Sequence, residues 1–142
     1  MEDSKQYFRE AQRRWAAVPA NHAKILARLA KWRAEHPERA AEISANTRRK
    51  LKREVLAHYG PNGEARCSWP GCEWTDLEAL SIDHVNGGGN EERRKLGRKA
   101  GQHFYYWLKQ NGYPEGYQTL CMNHQFVKRV VERECKRKGE SL

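Results

Sequence analysis

At 142 residues the chain can build one modest core, or a compact site domain with a helical extension, but not two large globular domains. It carries 27 Lys and Arg against 18 Asp and Glu; this net charge of +9 favours a polyanionic partner, nucleic acid being the commonest, though ribosomal contact or an anionic membrane surface would also satisfy it. No apolar run is long enough to cross a bilayer, and Met1 to Gln6 lacks the basic-then-apolar layout of a secretory signal, so the protein is expected in the cytoplasm with no membrane partner.

The charge is uneven. Residues 1 to 60 hold 14 basic and 7 acidic side chains, and residues 61 to 142 hold 13 and 11, so +7 of the +9 lies in the first part. Residues 4 to 60 read as three helices punctuated by Pro19 and Pro37, each suited to the first turn of a new helix, where its missing N–H costs little. In the second helix Ile25, Leu29 and Trp32 share a face; in the third, Ile43, Leu51, Val55 and Tyr59 recur at multiples of four. These narrow stripes need a partner: each other, the C-terminal domain, a second copy or a ligand. Arg14-Trp15-Ala16 with Pro19 and Lys31-Trp32-Arg33 with Pro37 form a weak internal echo. Arg48, Arg49, Lys50, Lys52 and Arg53 surround the third helix without a carboxylate between Glu42 and Glu54, which points to contact with backbone phosphates rather than to a merely solvated face.

Tyr59-Gly60-Pro61-Asn62-Gly63 is the clearest turn cluster, and it divides the chain into a basic helical arm, residues 1–60, and a site domain, residues 61–142. Within the second part, Cys67-x4-Cys72 forms a knuckle, Ala79 to Val85 alternates as a short strand, and Asn86 to Asn90 is a glycine loop. A long excursion follows, with a helix through His103 to Leu108 closed by Asn111-Gly112-Tyr113-Pro114. Tyr117 to Cys121 returns as a second strand, and Met122 to Glu134 is expected as a helix with Phe126, Val127, Val130 and Val131 on its inner side. The predicted fold class is therefore α+β.

Cysteines in a reducing compartment are metal ligands more readily than disulfides. Cys67, Cys72, Cys121 and His124 form two close pairs at ligand spacing, the pattern of two knuckles converging on one structural zinc, which would add roughly 10 kcal/mol or more by binding only the folded form. Cys135 is left over, a less suitable substitute for His124. Between the pairs lie Asp83 and His84, at a strand end beside glycines that allow a phosphate backbone to approach. There His84 could take a proton from water while Asp83 binds a divalent ion, with Gln125 offering an amide oxygen as second ligand or serving only as a solvated helical residue. Arg93, Arg94, Lys95, Arg98, Lys99, Lys128 and Arg129 are expected to line a phosphate track, and Phe104, Tyr105 and Trp107 to be core under the long loop.

With Cys67-x4-Cys72, Leu80-Ser81-Ile82-Asp83-His84-Val85-Asn86-Gly87-Gly88-Gly89, Gly112-Tyr113-Pro114-Glu115-Gly116-Tyr117-Gln118-Thr119-Leu120-Cys121 and the Phe126-x-Lys128 ending, residues 64 to 130 resemble an HNH endonuclease of the His-Me finger group, in its zinc-containing subfamily often encoded by bacterial viruses. The resemblance implies a ββα-metal finger with a structural zinc, His84 as general base, and Asp83 on a catalytic magnesium or manganese ion. Three positions depart from the pattern: His124-Gln125 stands where the family has Cys-Asn or Cys-His, and the middle asparagine falls at Gly116. The expected function is a metal-dependent DNA endonuclease that nicks as a monomer and needs a homodimer for double-strand breaks. Its rivals are a zinc-built DNA-binding module weakened in catalysis by Gln125, and an accessory protein of viral packaging.

Overall fold

The structure, a computed structural model, describes residues 2–95, 97 and 101–132. Cys135, Arg98 and Lys99 lie outside the described residues. Helix α1 spans Glu2–Ala17, α2 Pro19–Glu35 and α3 Pro37–His58, followed by a short 3-10 turn at Pro61–Gly63. Strand β1 is Leu80–His84, α4 Gly89–Lys95, α5 Gln102–Gln110, β2 Tyr117–Cys121 and α6 Met122–Val131. The architecture is a helix-rich α+β one with a single two-stranded antiparallel sheet among the described residues. No described helix is long and apolar enough to cross a membrane.

The chain divides into two compact units, Met1–Ala45 and Asn46–Leu142, so the division falls inside α3, earlier than the turn at 59–63. In the first unit α1 packs on α2. Pro19 starts α2 after Val18, which adopts an extended conformation, and the Asn21 side chain closes the break by donating to the Trp15 carbonyl at 3.1 Å. His36 ends α2 ahead of Pro37 and stacks on Trp32 with ring centroids 5.1 Å apart. None of residues 5–45 is buried: Ile25 and Trp32 are half-buried, while Leu29 and Ile43 stay exposed.

The second unit gathers the buried side chains because its elements face one another across a small centre. Val55 and Leu56, near the end of α3, are fully buried, and Leu56 joins Cys67, Leu77, Leu80, Leu120 and Cys121 in one cluster, with Trp69, Ile82 and Tyr105 packed against it. β1 and β2 pair with Leu80 opposite Cys121, Ile82 opposite Thr119 and His84 opposite Tyr117. The outer edge of β2 is tied down: Thr119 N–H donates to the Tyr59 carbonyl at 3.1 Å, Ser68 N–H donates to the Thr119 carbonyl at 2.8 Å, and Thr119 Oγ1 donates to the Leu56 carbonyl at 2.8 Å. The last bond satisfies one of the carbonyls that a helix end leaves without an N–H partner.

Both strands form where the alternating pattern predicts them. The glycine loop is shorter than expected: Gly87 and Gly88 turn the chain with positive φ, and α4 begins at Gly89. Helix α6 corrects a second expectation, because Phe126, Val127, Val130 and Val131 are not on its inner side but 64%, 40%, 62% and 69% exposed. The inward face carries His124, Gln125 and Lys128 instead. These three lie on the helical stripe that continues from Cys121, so polar contacts fixed the rotation of α6 against its hydropathy.

Candidate metal centre and the Asp83–His84 site

The knuckle after α3 is built by backbone bonds: Cys67 N–H donates to the Trp74 carbonyl at 3.0 Å, Cys72 N–H donates to the Trp69 carbonyl at 3.0 Å, and Gly71 supplies a positive φ of 74° at the tip. Cys121 ends β2 and His124 sits one turn into α6, so the second pair reaches the knuckle from the sheet side. One ligand atom from each of Cys67, Cys72, Cys121 and His124 falls within 4.8 Å of the others. His124 Nδ1 lies 3.6 Å from Cys67 Sγ and 3.1 Å from Cys121 Sγ. A tetrahedral zinc with bonds of about 2.3 Å to sulfur and 2.0 Å to nitrogen has sulfur–nitrogen edges of about 3.5 Å, so the set fits such an ion. The four residues could hold a metal ion such as zinc. Around them, Cys121 N–H donates to Cys67 Sγ at 3.3 Å, and the Trp69 ring stacks on His124 with centroids 5.0 Å apart and planes at 9°. Burial pushes the Cys67 thiol up to about 11, whereas the Trp74 backbone N–H lowers that of Cys72.

Asp83 and His84 are neighbours on β1 and therefore face opposite sides of the sheet. His84 turns towards α4 and α5. Its Nε2 bonds the Glu92 carboxylate, whose other oxygen accepts from the Tyr117 hydroxyl. The Phe104 and Tyr117 rings lie 6.1 and 5.0 Å from the imidazole, centroid to centroid. Gly89 lies beside Nδ1, where a Cβ would stand 2.9 Å from it and only the lack of a side chain leaves room. The Tyr117 phenol is pushed up, first by burial and then by the Glu92 carboxylate, and so stays a donor. Phe104, Tyr105 and Trp107 are half-buried under the excursion.

Asp83 faces α6. Its Oδ2 accepts from Gln118 Nε2 at 2.9 Å and pairs with Lys128 Nζ at 3.1 Å, while Lys128 also donates to the His84 carbonyl at 2.7 Å. Gln125 reaches Ser81 Oγ and the Leu120 carbonyl through its amide nitrogen rather than joining Asp83. The residues present do not fit the catalytic magnesium or manganese ion expected at Asp83 and Gln125, because the one carboxylate there already holds the Lys128 ammonium. Among the described residues the set of three cysteines and His124 is the one cluster of three or more His, Cys, Asp or Glu ligands close enough for a metal.

The basic residues separate. Arg48, Arg49, Lys50 and Arg53 are exposed on α3, with Arg49 and Lys52 sharing Glu78 at 3.4 and 4.0 Å. Arg93, Arg94 and Lys95 are exposed on α4, where Lys95 pairs with Glu91 at 3.2 Å, and Arg129 is exposed on α6. Lys128 leaves the expected phosphate track, being 2% exposed. Sequence reasoning missed Glu92, Tyr117 and Gln118 as partners of the site. Lys128 had a legible signal, because its steps of seven from Cys121 and four from His124 put it on the ligand-bearing face.

Compared with protein-family models, with curated proteins and with solved structures, the chain matches none.

Proposed function

We propose that the chain is a zinc-supported HNH-type endonuclease that hydrolyses phosphodiester bonds in DNA, with His84 as general base. The observation that carries this reading is the setting of His84: it ends a strand whose partner leads directly into Cys121 and α6, and a carboxylate holds its Nε2. An ionised carboxylate only accepts, so Nε2 carries the hydrogen and Nδ1 is the nitrogen left to take a proton. In the proposed step a water proton passes to Nδ1, the water oxygen bonds phosphorus, the bond from phosphorus to the leaving oxygen breaks, and that oxygen takes a proton from solvent. Zinc on Cys67, Cys72, Cys121 and His124 would hold β2 and α6 in register around the site. Arg48, Lys50, Arg53, Arg93, Arg94 and Arg129, all exposed, would contact backbone phosphates.

A second reading, a zinc-built DNA-binding module without cleavage, is favoured by one observation, the pairing of Asp83 with Lys128 at 3.1 Å. One assay separates the two. Supercoiled plasmid is incubated with the zinc-loaded protein, with and without magnesium or manganese, and nicking is compared between the unmodified chain and His84→Ala. The nuclease reading expects relaxed circles that diminish by about a hundredfold or more in the variant. Plasmid that is bound but left uncut by both proteins refutes cleavage and leaves the binding module.

A further inference from the structure

The buried ammonium of Lys128 is the second charge of the Asp83 site. Its side chain is only 3% exposed, and its ammonium reaches the His84 carbonyl at 2.7 Å, Asp83 Oδ2 at 3.1 Å and Glu132 Oε2 at 3.4 Å. Asp83 is nearly as enclosed, at 13%, and the same Oδ2 also accepts from Gln118 at 2.9 Å. Two opposite charges removed from water are held there by mutual pairing and hydrogen bonds.

We propose that Lys128 is the resident cation of this site and closes Asp83 to divalent ions. A magnesium or manganese ion bonded to Asp83 Oδ2 would stand about 2.1 Å from that oxygen. The ammonium 3.1 Å away from the same atom would then face a doubly charged neighbour across poorly solvated space, where like charges repel strongly. One of them has to leave, and displacing the ammonium costs Lys128 its hydrogen bond to the His84 carbonyl at 2.7 Å. The inference deepens the nuclease reading, on which its meaning for catalysis rests: the fixed positive charge beside His84 belongs to a lysine.

The test reads ion binding rather than cleavage, so loss of the nuclease reading leaves it standing. Manganese binding to the zinc-loaded full chain is followed by electron paramagnetic resonance in the unmodified protein, in Asp83→Asn, in Lys128→Met, and in Lys128→Met combined with Asp83→Asn. The expected result is binding roughly tenfold or more tighter in Lys128→Met than in the unmodified chain, with the gain removed by Asp83→Asn. Binding that Asp83→Asn alone abolishes and Lys128→Met leaves unchanged overturns the proposal. Absence of binding in every protein overturns it too, because the ammonium is then not what keeps the ion out. Should Lys128→Met fail to fold, as zinc content and circular dichroism would reveal, the unmodified chain with isotope-labelled lysine answers by magnetic resonance. The Lys128 ammonium signal is expected to stay unmoved as magnesium is added, and its displacement refutes the inference.

Discussion

Removal of the proposed zinc from the second unit is the perturbation that reaches furthest. Cys67→Ser deletes one ligand while nearly preserving shape, and a serine oxygen can still accept the Cys121 N–H that donates to Cys67 Sγ at 3.3 Å. Burial holds the Cys67 thiol well above its ordinary range, at about 11, so a metal-free Cys67 is an uncharged thiol at neutral pH and brings no thiolate repulsion of its own. The cost of the substitution is therefore mainly the metal's contribution, roughly 10 kcal/mol or more for a structural zinc site. A domain's net stability is about 5–15 kcal/mol. Among the described residues eight apolar side chains are buried, Val55, Leu56, Cys67, Leu77, Leu80, Leu108, Leu120 and Cys121, and two of these belong to the candidate ligand set, so little apolar packing is left to compensate. The expected outcome is loss of the single tight zinc, and loss of the cooperative melt of the second unit, in Cys67→Ser and in His124→Ala. Metal analysis and near-ultraviolet circular dichroism read these directly, and Trp69, stacked on His124, reports through its fluorescence. A Cys67→Ser chain that keeps one tight zinc, or an unmodified chain whose melt is indifferent to a strong chelator, would refute the reasoning.

Three further outcomes are expected. Gly89→Ala places a Cβ 2.9 Å from His84 Nδ1, about 0.5 Å too close, and the ring cannot yield without straining its bond to Glu92; nicking should fall about ten- to a hundredfold, while a thermal melt moves little because alanine gains up to about 1 kcal/mol in a helix. Thr119→Val leaves the Leu56 carbonyl without the fully buried hydroxyl that donates to it at 2.8 Å, and urea titration should show a loss of about 1–3 kcal/mol. Burial raises Tyr59 and Tyr113 to about 12, with Tyr113 a further cause for Tyr59 and Glu54 for Tyr113, and Tyr117 is raised as well. An unfolded tyrosine ionises near about 10, so this contribution to stability is complete below that pH and is lost as pH rises from about 10 towards 12; tyrosinate absorbance and the melt should change together across that window.

The division between what sequence and tertiary structure each decided follows the range of the forces involved. Periodicity and turn residues are local, and they placed β1, β2 and three helices in the first 60 residues, with breaks at Pro19 and Pro37. Ligand chemistry is nearly as local, because two close pairs of soft donors announce a metal wherever the chain brings them together, and Cys67, Cys72, Cys121 and His124 do converge. The rotation of α6 was not available in this way. Its apolar residues suggested one inward face, but His124 directed at the cysteines and Lys128 reaching Asp83 fix another, and such fixing contacts span 57 and 45 residues of chain. The same limit hid the site's partners. Glu92 is one of several carboxylates in a mixed-charge segment until α4 sets it against His84 and Tyr117, and Lys128 reads as a surface base until burial turns it into the cation of Asp83. Which residues could carry the chemistry was written in their types and spacing; which of them are open, paired or enclosed was decided only by packing, because burial and ion pairing depend on neighbours distant in the chain.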